Sequence, residues 1–249
     1  MVDTHEGSQL NEIEPPPVRR AVTMLTLAHG WPDDVDRWLK GVIEHAAGHD
    51  FEALLVDNSG NPELASRLAG RRSDRVRIVT VQPPEGWAEA ANRGLEAAEG
   101  EVVVLFDPGV ELTGDVARPL MAALDDPEVV AAGAFGVRCE DRIGHFHSHA
   151  GPEVDALEGY VLAFRRSQAL SAGGFDRKFR FYRLADFDLC FKLRDRLGGR
   201  AIVVAGLPVE RHQHRLWEAL GEEDRERRSR RNYYRFIDLW GKRKDLLTR

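Results

Sequence analysis

Short apolar segments alternate with helical patterns through the first half of the chain, and this alternation restricts the possible folds more than any other feature. Strands are predicted where apolar and β-branched residues run together, over Ala21–Ala28, Phe51–Val56, Val76–Val81 and Glu101–Phe106. Helical spacing is predicted between those strands, over Asp33–Ala47, Pro62–Ala69 and Trp87–Ala98. Strands that alternate with helices form right-handed crossovers and a mostly parallel sheet with helices on both faces. We therefore predict a single α/β domain with a Rossmann-like sheet.

The second half of the chain is less regular. Further strands are predicted over Val129–Val137, Leu157–Phe164 and Ala201–Ala205, with a histidine-rich polar loop over Cys139–Gly151. Helices are predicted over Asp115–Leu124, Arg166–Ala172, Leu184–Leu197 and Glu222–Leu239. The boundaries that follow are a disordered tail over residues 1–19, the α/β domain over 20–221 and a basic aromatic helix over 222–249.

Several classes of protein are disfavoured by what the chain lacks. Its 249 residues carry a net charge of −6, which argues against a nucleic-acid-binding protein. No GxGxxG or GxxxxGK[ST] sequence follows a strand, which argues against a dinucleotide oxidoreductase and a P-loop enzyme. Cys139 and Cys190 lack the spacing of a disulfide framework or a zinc cluster and suit a reducing compartment. With a polar N-terminus and no apolar run near the ~20 residues of a membrane span, the expected location is the cytoplasm.

Two acidic residues stand directly after predicted parallel strands. Ligands of such sheets bind beyond the carboxyl ends of the strands, which is where Asp57 and Asp107 lie. Asp107 begins the sequence DPGVE; its carboxylate can hold a divalent cation that neutralises a diphosphate, whereas Asp-Pro-Gly can equally form a plain β-turn. Asp57, with Asn58 and Ser59, can bind a base or a ribose, or can form an Asx turn. The residues alone leave both alternatives open.

Acids and histidines in the second half offer further candidates. Asp186 and Asp188 stand at the start of a predicted helix, where an acid either caps the helix or acts as a general base toward an acceptor hydroxyl. Histidines alternate in the sequences HFHSH (residues 145–149) and HQH (residues 212–214). On a strand this spacing permits metal binding, and in a loop it suits solvated side chains.

The C-terminal segment 225–249 is rich in arginine and lysine, and aromatic residues interleave with them. A basic aromatic helix can lie on an anionic membrane or bind a phosphate-bearing acceptor. The alternative is a terminal helix that packs its aromatic side on the core and leaves a solvated basic face. A peripheral contact with the inner face of the membrane is therefore left open.

Taken together, these motifs resemble glycosyltransferase family 2, the inverting enzymes with a GT-A fold. FEALLVDNSG (residues 51–60) is similar to the strand and turn whose acid contacts the nucleoside in that family. GWAEAANRGLEAAEGEVVVLFDPGVEL (residues 86–112) is similar to the helix and strand that lead into the family's DxD motif. GGFD followed by ADFDLCFKLR resembles the acceptor and base segment, and LPVERHQH resembles the late V-x-H element. The resemblance covers about Ala21 to Trp240 and is nearest to the rhamnosyltransferase-like branch.

The resemblance implies an enzyme that moves a sugar from a UDP-, GDP- or dTDP-sugar to a saccharide or lipid-linked acceptor with inversion, in polysaccharide or glycoconjugate synthesis. The nucleotide-binding half is then about residues 20–112 and the acceptor half about 113–221. Asp186 is implied as the catalytic base, and donor contacts are implied for Thr26, Ala28, Asp57, Asn58, Asn92 and Asp107. Acceptor contacts are assigned to Trp87, Tyr182 and Asp188, and a Mg²⁺ or Mn²⁺ ion to Asp107, Glu111 and His212.

Two positions depart from the family pattern. Gly109 stands where the DxD motif usually ends in a second acid, so either Glu111 or His212 carries more of the metal binding, or metal binding is weak or absent. Ala185 stands where an acid commonly precedes the catalytic Asp, so Asp186 is retained in altered surroundings. These departures motivate an alternative, a degenerate GT-A module that binds a nucleotide or a partner without turnover.

Overall fold

The computed structural model describes residues 20–248, so the tail predicted over residues 1–19 lies outside the described residues. The first half of the chain forms the predicted alternation of strands and helices. Its elements, in chain order, are β1 (Arg20–Ala28), α1 (Pro32–His45), β2 (Phe51–Asp57), α2 (Pro62–Ala69), β3 (Val76–Thr80), α3 (Trp87–Ala97) and β4 (Gly100–Phe106). Every residue of β2 is buried, because the strand runs through the middle of a sheet that is covered on both faces.

The second half contains shorter strands and the longest helix among the described residues. Its elements are β5 (Val110–Leu112), α4 (Ala117–Asp125), β6 (Val129–Gly133), β7 (Gly136–Cys139), β8 (Phe146–His149), β9 (Glu153–Val154), β10 (Ala156–Leu157), β11 (Val161–Arg165), α5 (Arg166–Ser171), α6 (Ala185–Leu197), β12 (Arg200–Val203), β13 (Val209–Arg211), α7 (Arg215–Glu218) and α8 (Glu222–Trp240). A 3-10 helix, Lys244–Leu246, follows α8.

Three predicted segments differ from the structure. The strand predicted over Val129–Val137 divides into β6 and β7, which belong to different sheets. The strand predicted over Leu157–Phe164 likewise divides into β10 and β11. The loop predicted over Cys139–Gly151 contains β8, which pairs with β7 at the edge of a small sheet. Its sequence, FHSH, has no buried residue and is polar apart from Phe146, which explains why hydrophobic periodicity did not predict this strand.

The central sheet has eight strands in the order β3-β2-β1-β4-β11-β6-β12-β9. β1 pairs in parallel with β2 and β4, and β2 pairs in parallel with β3, which confirms the predicted parallel part. The sheet as a whole is mixed, because β11 runs antiparallel between β4 and β6. Since β1, β2 and β4 share one direction, their carboxyl ends meet at one edge of the sheet. Ala28 is paired there with Asp57, and Thr26 with Phe106.

Two apolar layers cover the faces of this sheet and hold the domain together. One layer is built around α1 and α4, with Trp38 and Leu120 fully buried. The other contains α3 and α6 and also takes in residues of α8, since Phe236 and Trp240 belong to the same buried cluster as Phe191. The basic aromatic helix predicted at the C-terminus therefore packs its aromatic side into the core of the α/β domain. Among residues 20–248, no helix combines the length and the apolar character needed to cross a membrane.

Candidate active site

A cleft opens beyond the ends of β1 and β4, and both halves of the chain form its walls. The first half contributes residues at the strand ends and at the start of α3, namely Leu27, His29, Trp87, Phe106, Asp107 and Pro108. The second half contributes Gly159, Tyr160, Tyr182, Asp186, His214 and Leu216. The fold thus brings Asp107, at the carboxyl end of β4, and Asp186, at the start of α6, to one cavity.

Asp107 is paired with a histidine at the floor of this cleft. Its Oδ2 lies 3.0 Å from Nε2 of His214, and both side chains are largely buried, with exposed fractions of 14% and 11%. The ring of Tyr182 stacks on the imidazole with 4.0 Å between centroids. Burial raises the pKa of Asp107 and lowers that of His214, and each group opposes the shift of the other. The pair is a carboxylate and an imidazole held together away from bulk water.

Asp107 also forms the turn that its sequence allowed, so the two interpretations of DPG are compatible. Its Oδ1 accepts a hydrogen bond of 2.8 Å from the backbone N–H of Gly109. A Cβ atom at Gly109 would lie 2.8 Å from that oxygen and 2.8 Å from the carbonyl oxygen of Gln213. The usual second acid of the DxD motif therefore does not fit here unless the backbone of the His214 segment moves.

Two imidazole nitrogens beside the cleft have no protein partner among the described residues. Nε2 of His29 and Nδ1 of His214 are buried and make no hydrogen bond. Burial, reinforced by the nearby His214, lowers the pKa of His29 to about 4, so His29 is neutral at pH 7. Buried polar atoms in folded proteins are nearly always paired, and unpaired ones need an explanation such as a bound ligand or ion. Their position supports a polar ligand at this end of the sheet.

Asp186 lies on the other wall of the cleft, at the start of α6. Leu184, two residues before Asp186, has a φ of 65°, which lies in the left-handed region that non-glycine residues rarely adopt. The Asp186 carboxylate accepts hydrogen bonds from the backbone N–H groups of Gly159, at 2.6 Å, and Phe187, at 2.9 Å. Protein packed round the carboxyl raises its pKa to about 7, although these N–H groups oppose the shift. A carboxyl group with a pKa near neutrality can accept and release protons at the working pH.

The histidine predicted as a metal ligand with Asp107 is not the one that the structure places beside it. Glu111 and His212 lie further along the two-stranded ribbon of β5 and β13, where His212 Nε2 is 2.8 Å from the Glu111 carboxylate. Together with Glu210 they offer ligand atoms within 4.8 Å of one another, and we call these three residues the outer cluster. His214 lies beside Asp107 because the ribbon register puts His214 opposite Asp107 and His212 opposite Gly109, and metal binding by Glu111 and His212 stays a prediction.

Asp107 and His214 fit a divalent cation by the chemistry of their donor atoms. A carboxylate oxygen and an imidazole nitrogen are ligands that Mn²⁺ accepts, and Mg²⁺ favours the carboxylate. Oδ2 of Asp107 and Nε2 of His214 face each other, and Nδ1 of the same imidazole has no partner among the described residues. The sequence motif did give one clue to this residue, because His214 alternates with His212 after the apolar strand.

The predicted nucleoside contacts lie at the end of β2, and most of their polar groups already have partners. Oδ1 of Asp57 accepts from the backbone N–H and the hydroxyl of Ser59, which is the Asx turn that the sequence allowed. The Asn58 amide donates to the Glu85 carbonyl and accepts from the Glu85 N–H, so it fastens this turn to the loop before α3. Asp57 remains a candidate donor contact, whereas the Asn58 side chain holds two loops together.

Three other residues predicted to contact the donor have side chains that are buried within the protein. The Thr26 hydroxyl is fully buried and donates to the Phe106 carbonyl, and the Ala28 side chain is fully buried as well. The Asn92 side-chain amide donates a hydrogen bond to the Phe175 carbonyl and accepts one from the Phe175 N–H. These two bonds join α3 to the segment before α6.

Asp188, assigned to the acceptor, is also buried away from the cleft. It accepts a hydrogen bond from the indole N–H of Trp240 and forms an ion pair with Lys192. Burial raises its pKa, opposed by Lys192. Asp188 therefore anchors α8 to α6. Trp87 and Tyr182, the other two residues assigned to the acceptor, do line the cleft.

Comparisons with known proteins agree with this architecture. GalNAc-T7, solved with UDP, GalNAc and Mn²⁺, aligns with a TM-score of 0.70 at 17% identity, covering 90% of this chain and 49% of its own. The mannosyltransferase PcManGT from Pyrobaculum calidifontis, solved with GDP-Man and Mn²⁺, aligns with a TM-score of 0.58 at 24% identity, covering 80% of this chain and 59% of its own. These similarities establish the GT-A fold that the sequence predicted.

An uncharacterized protein of Mycobacterium tuberculosis (strain CDC 1551 / Oshkosh), MT1568, is 26% identical over 204 residues. The aligned region is 72% of this chain and 63% of that relative, so this chain spans less than two thirds of it. The family described as Glycosyl transferase family 2 matches residues 27–191, from β1 into α6. That match covers more than half of the chain and includes Asp57, Asp107 and Asp186, and the protein therefore belongs to glycosyltransferase family 2.

Proposed function

We propose that this protein transfers a sugar from a nucleotide-sugar donor to a hydroxyl group of an acceptor, with inversion at the anomeric carbon. The observation that carries the proposal is one cleft with two different acids. Asp107 is paired with His214 on its floor, and Asp186 stands alone on its wall with a pKa near 7. Polysaccharide or glycoconjugate synthesis at the cytoplasmic face of a membrane is the setting that we propose for this reaction.

The donor is proposed to lie along the carboxyl ends of β2, β1 and β4. Asp57 would contact the nucleoside, and Asp107 with His214 would hold Mg²⁺ or Mn²⁺ against the diphosphate. A divalent cation in that position neutralises the negative charge that grows on the departing nucleoside diphosphate. The two structural relatives were solved with UDP or GDP-Man and with Mn²⁺, which supports this choice of donor and metal.

Asp186 is proposed as the general base. Its carboxylate accepts the proton of the acceptor hydroxyl while the hydroxyl oxygen attacks the anomeric carbon from the face opposite the diphosphate. The backbone N–H groups of Gly159 and Phe187 hold both carboxylate oxygens and so fix the direction in which the base points. Trp87 and Tyr182 supply aromatic surfaces at the cleft wall, which suit the apolar faces of sugar rings.

A thermal-shift screen of UDP-, GDP- and dTDP-sugars, with and without Mn²⁺, tests the proposal. We expect one base class to raise the melting temperature in the presence of Mn²⁺, because a ligand that binds only the native state stabilises it. NMR of the product formed with the selected donor then reports the anomeric configuration. A retained configuration contradicts the mechanism, and a flat screen across all donors contradicts the function.

The second candidate is a GT-A module that binds a nucleotide or a partner without turnover. Gly109 favours it, because the position lacks the second acid and has no room for one beside Gln213. Donor hydrolysis separates the candidates, since a glycosyltransferase with bound donor transfers the sugar slowly to water. Nucleotide binding in the absence of any hydrolysis or transfer would favour the module.

A further inference from the structure

Helix α8 is fastened to the segment that forms one wall of the cleft. Its buried stripe is Asn232, Phe236 and Trp240, spaced four residues apart on one face. The Asn232 amide donates at 2.7 Å to the carbonyl oxygens of both Phe181 and Arg183, which flank Tyr182. The position of α8 is therefore fixed relative to the aromatic wall of the cleft.

A basic groove runs between this helix and the same segment. We call it the arginine groove; it is lined by Gly86 and Phe181 and by four arginines, Arg180, Arg227, Arg228 and Arg231. The next residue after Gly86 is Trp87 and the next after Phe181 is Tyr182, and both of these line the cleft. Because adjacent Cα atoms are only ~3.8 Å apart, the groove opens directly beside the cleft.

Three of the four arginines that line the groove have no counter-ion among the described residues, whereas the fourth, Arg227, pairs with Asp224. Arg180, Arg228 and Arg231 form no ion pair with any residue from 20 to 248. On the same helix, Arg230 pairs with Glu226, and Arg235 pairs with Asp176 at 2.6 Å. Paired and unpaired arginines therefore occur on the same helix, so the lack of counter-ions is not a property of every arginine on α8.

The acid that lines the groove does not neutralise it. Glu85 is engaged by Arg93, which lies outside the groove, at 3.1 Å. Three like charges in one concave surface repel each other, and the repulsion is relieved when an anion enters. Guanidinium groups bind phosphate oxygens through paired N–H donors. A phosphate has enough oxygens to be bound by several arginines at once.

The groove lies on the acceptor side of the cleft. Residues Arg180 to Leu184 run from the groove past Tyr182 to the start of α6, where Asp186 stands. Glu85, which also lines the groove, is joined to Asn58 at the end of β2 by two hydrogen bonds. The segment from Arg180 to Leu184 therefore connects the groove to Tyr182, a residue that we assign to the acceptor.

We propose that the arginine groove binds a phosphate group carried by the acceptor, so that the acceptor is a phosphate-bearing saccharide. This inference rests on the proposed glycosyltransfer, because it names the substrate class of the same cleft. Arg228 and Arg231 are specificity-determining residues in this scheme, and they take no part in the chemistry at the anomeric carbon.

The test compares two double variants that remove the same charge. Arg228→Gln/Arg231→Gln empties the groove of two unpaired cations, and Arg118→Gln/Arg230→Gln removes two arginines that are exposed and paired. Inorganic pyrophosphate is titrated by calorimetry with the donor site filled by the nucleoside diphosphate and Mn²⁺. We expect the first variant to lose about tenfold or more in pyrophosphate affinity and the control to match the wild type. Equal losses in both variants would overturn the proposal.

Two further measurements separate this proposal from its alternatives. Donor hydrolysis in the absence of acceptor reports the proposed function alone, and we expect Arg228→Gln/Arg231→Gln to leave it unchanged. A fall in donor affinity in that variant would assign the groove to the donor diphosphate and overturn the proposal. If the wild type neither hydrolyses nor transfers, the proposed function fails while the pyrophosphate titration still gives its answer.

Two binding measurements distinguish a phosphate carried by a lipid from a phosphate on a soluble sugar. Sedimentation with phosphatidylcholine vesicles that contain a polyprenyl phosphate, compared with phosphatidylcholine alone, tests a lipid-linked acceptor. Titration with a soluble sugar phosphate tests a free one. The proposal requires that at least one of the two measurements shows binding that weakens in Arg228→Gln/Arg231→Gln, and binding that persists in that variant contradicts it.

Discussion

Two buried acidic regions lie at opposite ends of the same central sheet, and they differ in how their polar groups are satisfied. At the amino ends of the strands, Glu52 is fully buried and accepts from the Thr23 hydroxyl, the Glu99 N–H and the Arg77 guanidinium, each at 2.6 Å. At the carboxyl ends, His29 and His214 each leave a buried nitrogen without a protein partner.

The difference teaches how a buried acid can be assigned to structure or to chemistry. Both carboxylate oxygens of Glu52 accept hydrogen bonds from the protein, which is what a folded chain needs and what a ligand would disturb. Asp186 is held by two backbone N–H groups, but burial still raises its pKa to about 7. Groups that are left unsatisfied or poised near neutrality in a cleft are candidates for function.

The largest expected effect comes from Asp186→Asn. The amide keeps the size of the side chain and one acceptor oxygen but cannot take a proton, so transfer to the acceptor should fall about 10²- to 10⁴-fold. Initial rates with the donor selected by the thermal-shift screen measure this loss. Donor affinity should be retained, and transfer at the wild-type rate would remove Asp186 from the role of base.

Replacement of Glu52 by alanine probes the other end of the sheet. The change leaves the buried Thr23 hydroxyl and the Glu99 N–H without their acceptor and removes one of the acceptors of Arg77, so the free energy of unfolding should fall by about 3 kcal/mol. Urea denaturation followed by circular dichroism measures the loss. Turnover per folded molecule at low temperature should be unchanged; a loss of turnover without a loss of stability would show that the two ends of the sheet are not separate in function.

The two alternating histidines give a matched pair of variants for the metal. His214→Ala should lower the apparent affinity for Mn²⁺ by about 10- to 100-fold. Metal-dependent transfer and the Mn²⁺-dependent thermal shift should both decrease as a result. His212→Ala removes an imidazole from the outer cluster and should behave as the wild type. Manganese titrations of both variants make the comparison, and the reverse result would restore the pairing of His212 with Asp107.

Stability and activity should respond to pH in opposite directions. The pKa of Asp186 rises from 3.8 to about 7 on folding, so the native state retains this proton in the window where the unfolded state loses it. The stabilising contribution of the protonated carboxyl is full below pH 3.8 and declines as pH rises toward 7. Transfer needs the deprotonated base and should rise through the same window.

Asp186→Asn is the control for this pH effect. The variant cannot titrate at this position, so the difference in melting temperature between wild type and variant should change between pH 4 and pH 7. Thermal unfolding in a series of buffers without donor measures it. A constant difference across that range would mean that the Asp186 pKa is unshifted by folding.

The first half of the fold and part of the site followed from the sequence because they depend on local patterns. The alternation of strands and helices predicted the bounds of β1, β2, β3 and β4 to within a residue or two. The acids that follow two of those strands indicated the edge of the sheet where ligands bind. β8 and β13 were not predicted, because short polar strands lack the hydrophobic periodicity that identifies longer ones.

The sequence by itself determined that Asp107 follows a buried strand, that Asp186 opens a helix and that histidines alternate after residue 211. Only the tertiary structure decided which histidine meets Asp107, because the pairing depends on the register of β5 against β13. It also decided that the side chains of Thr26, Asn92 and Asp188 are buried and form hydrogen bonds within the chain. The physical reason is that residue type sets which contacts are possible, whereas burial and partner geometry, which arise from long-range packing, set which of them form.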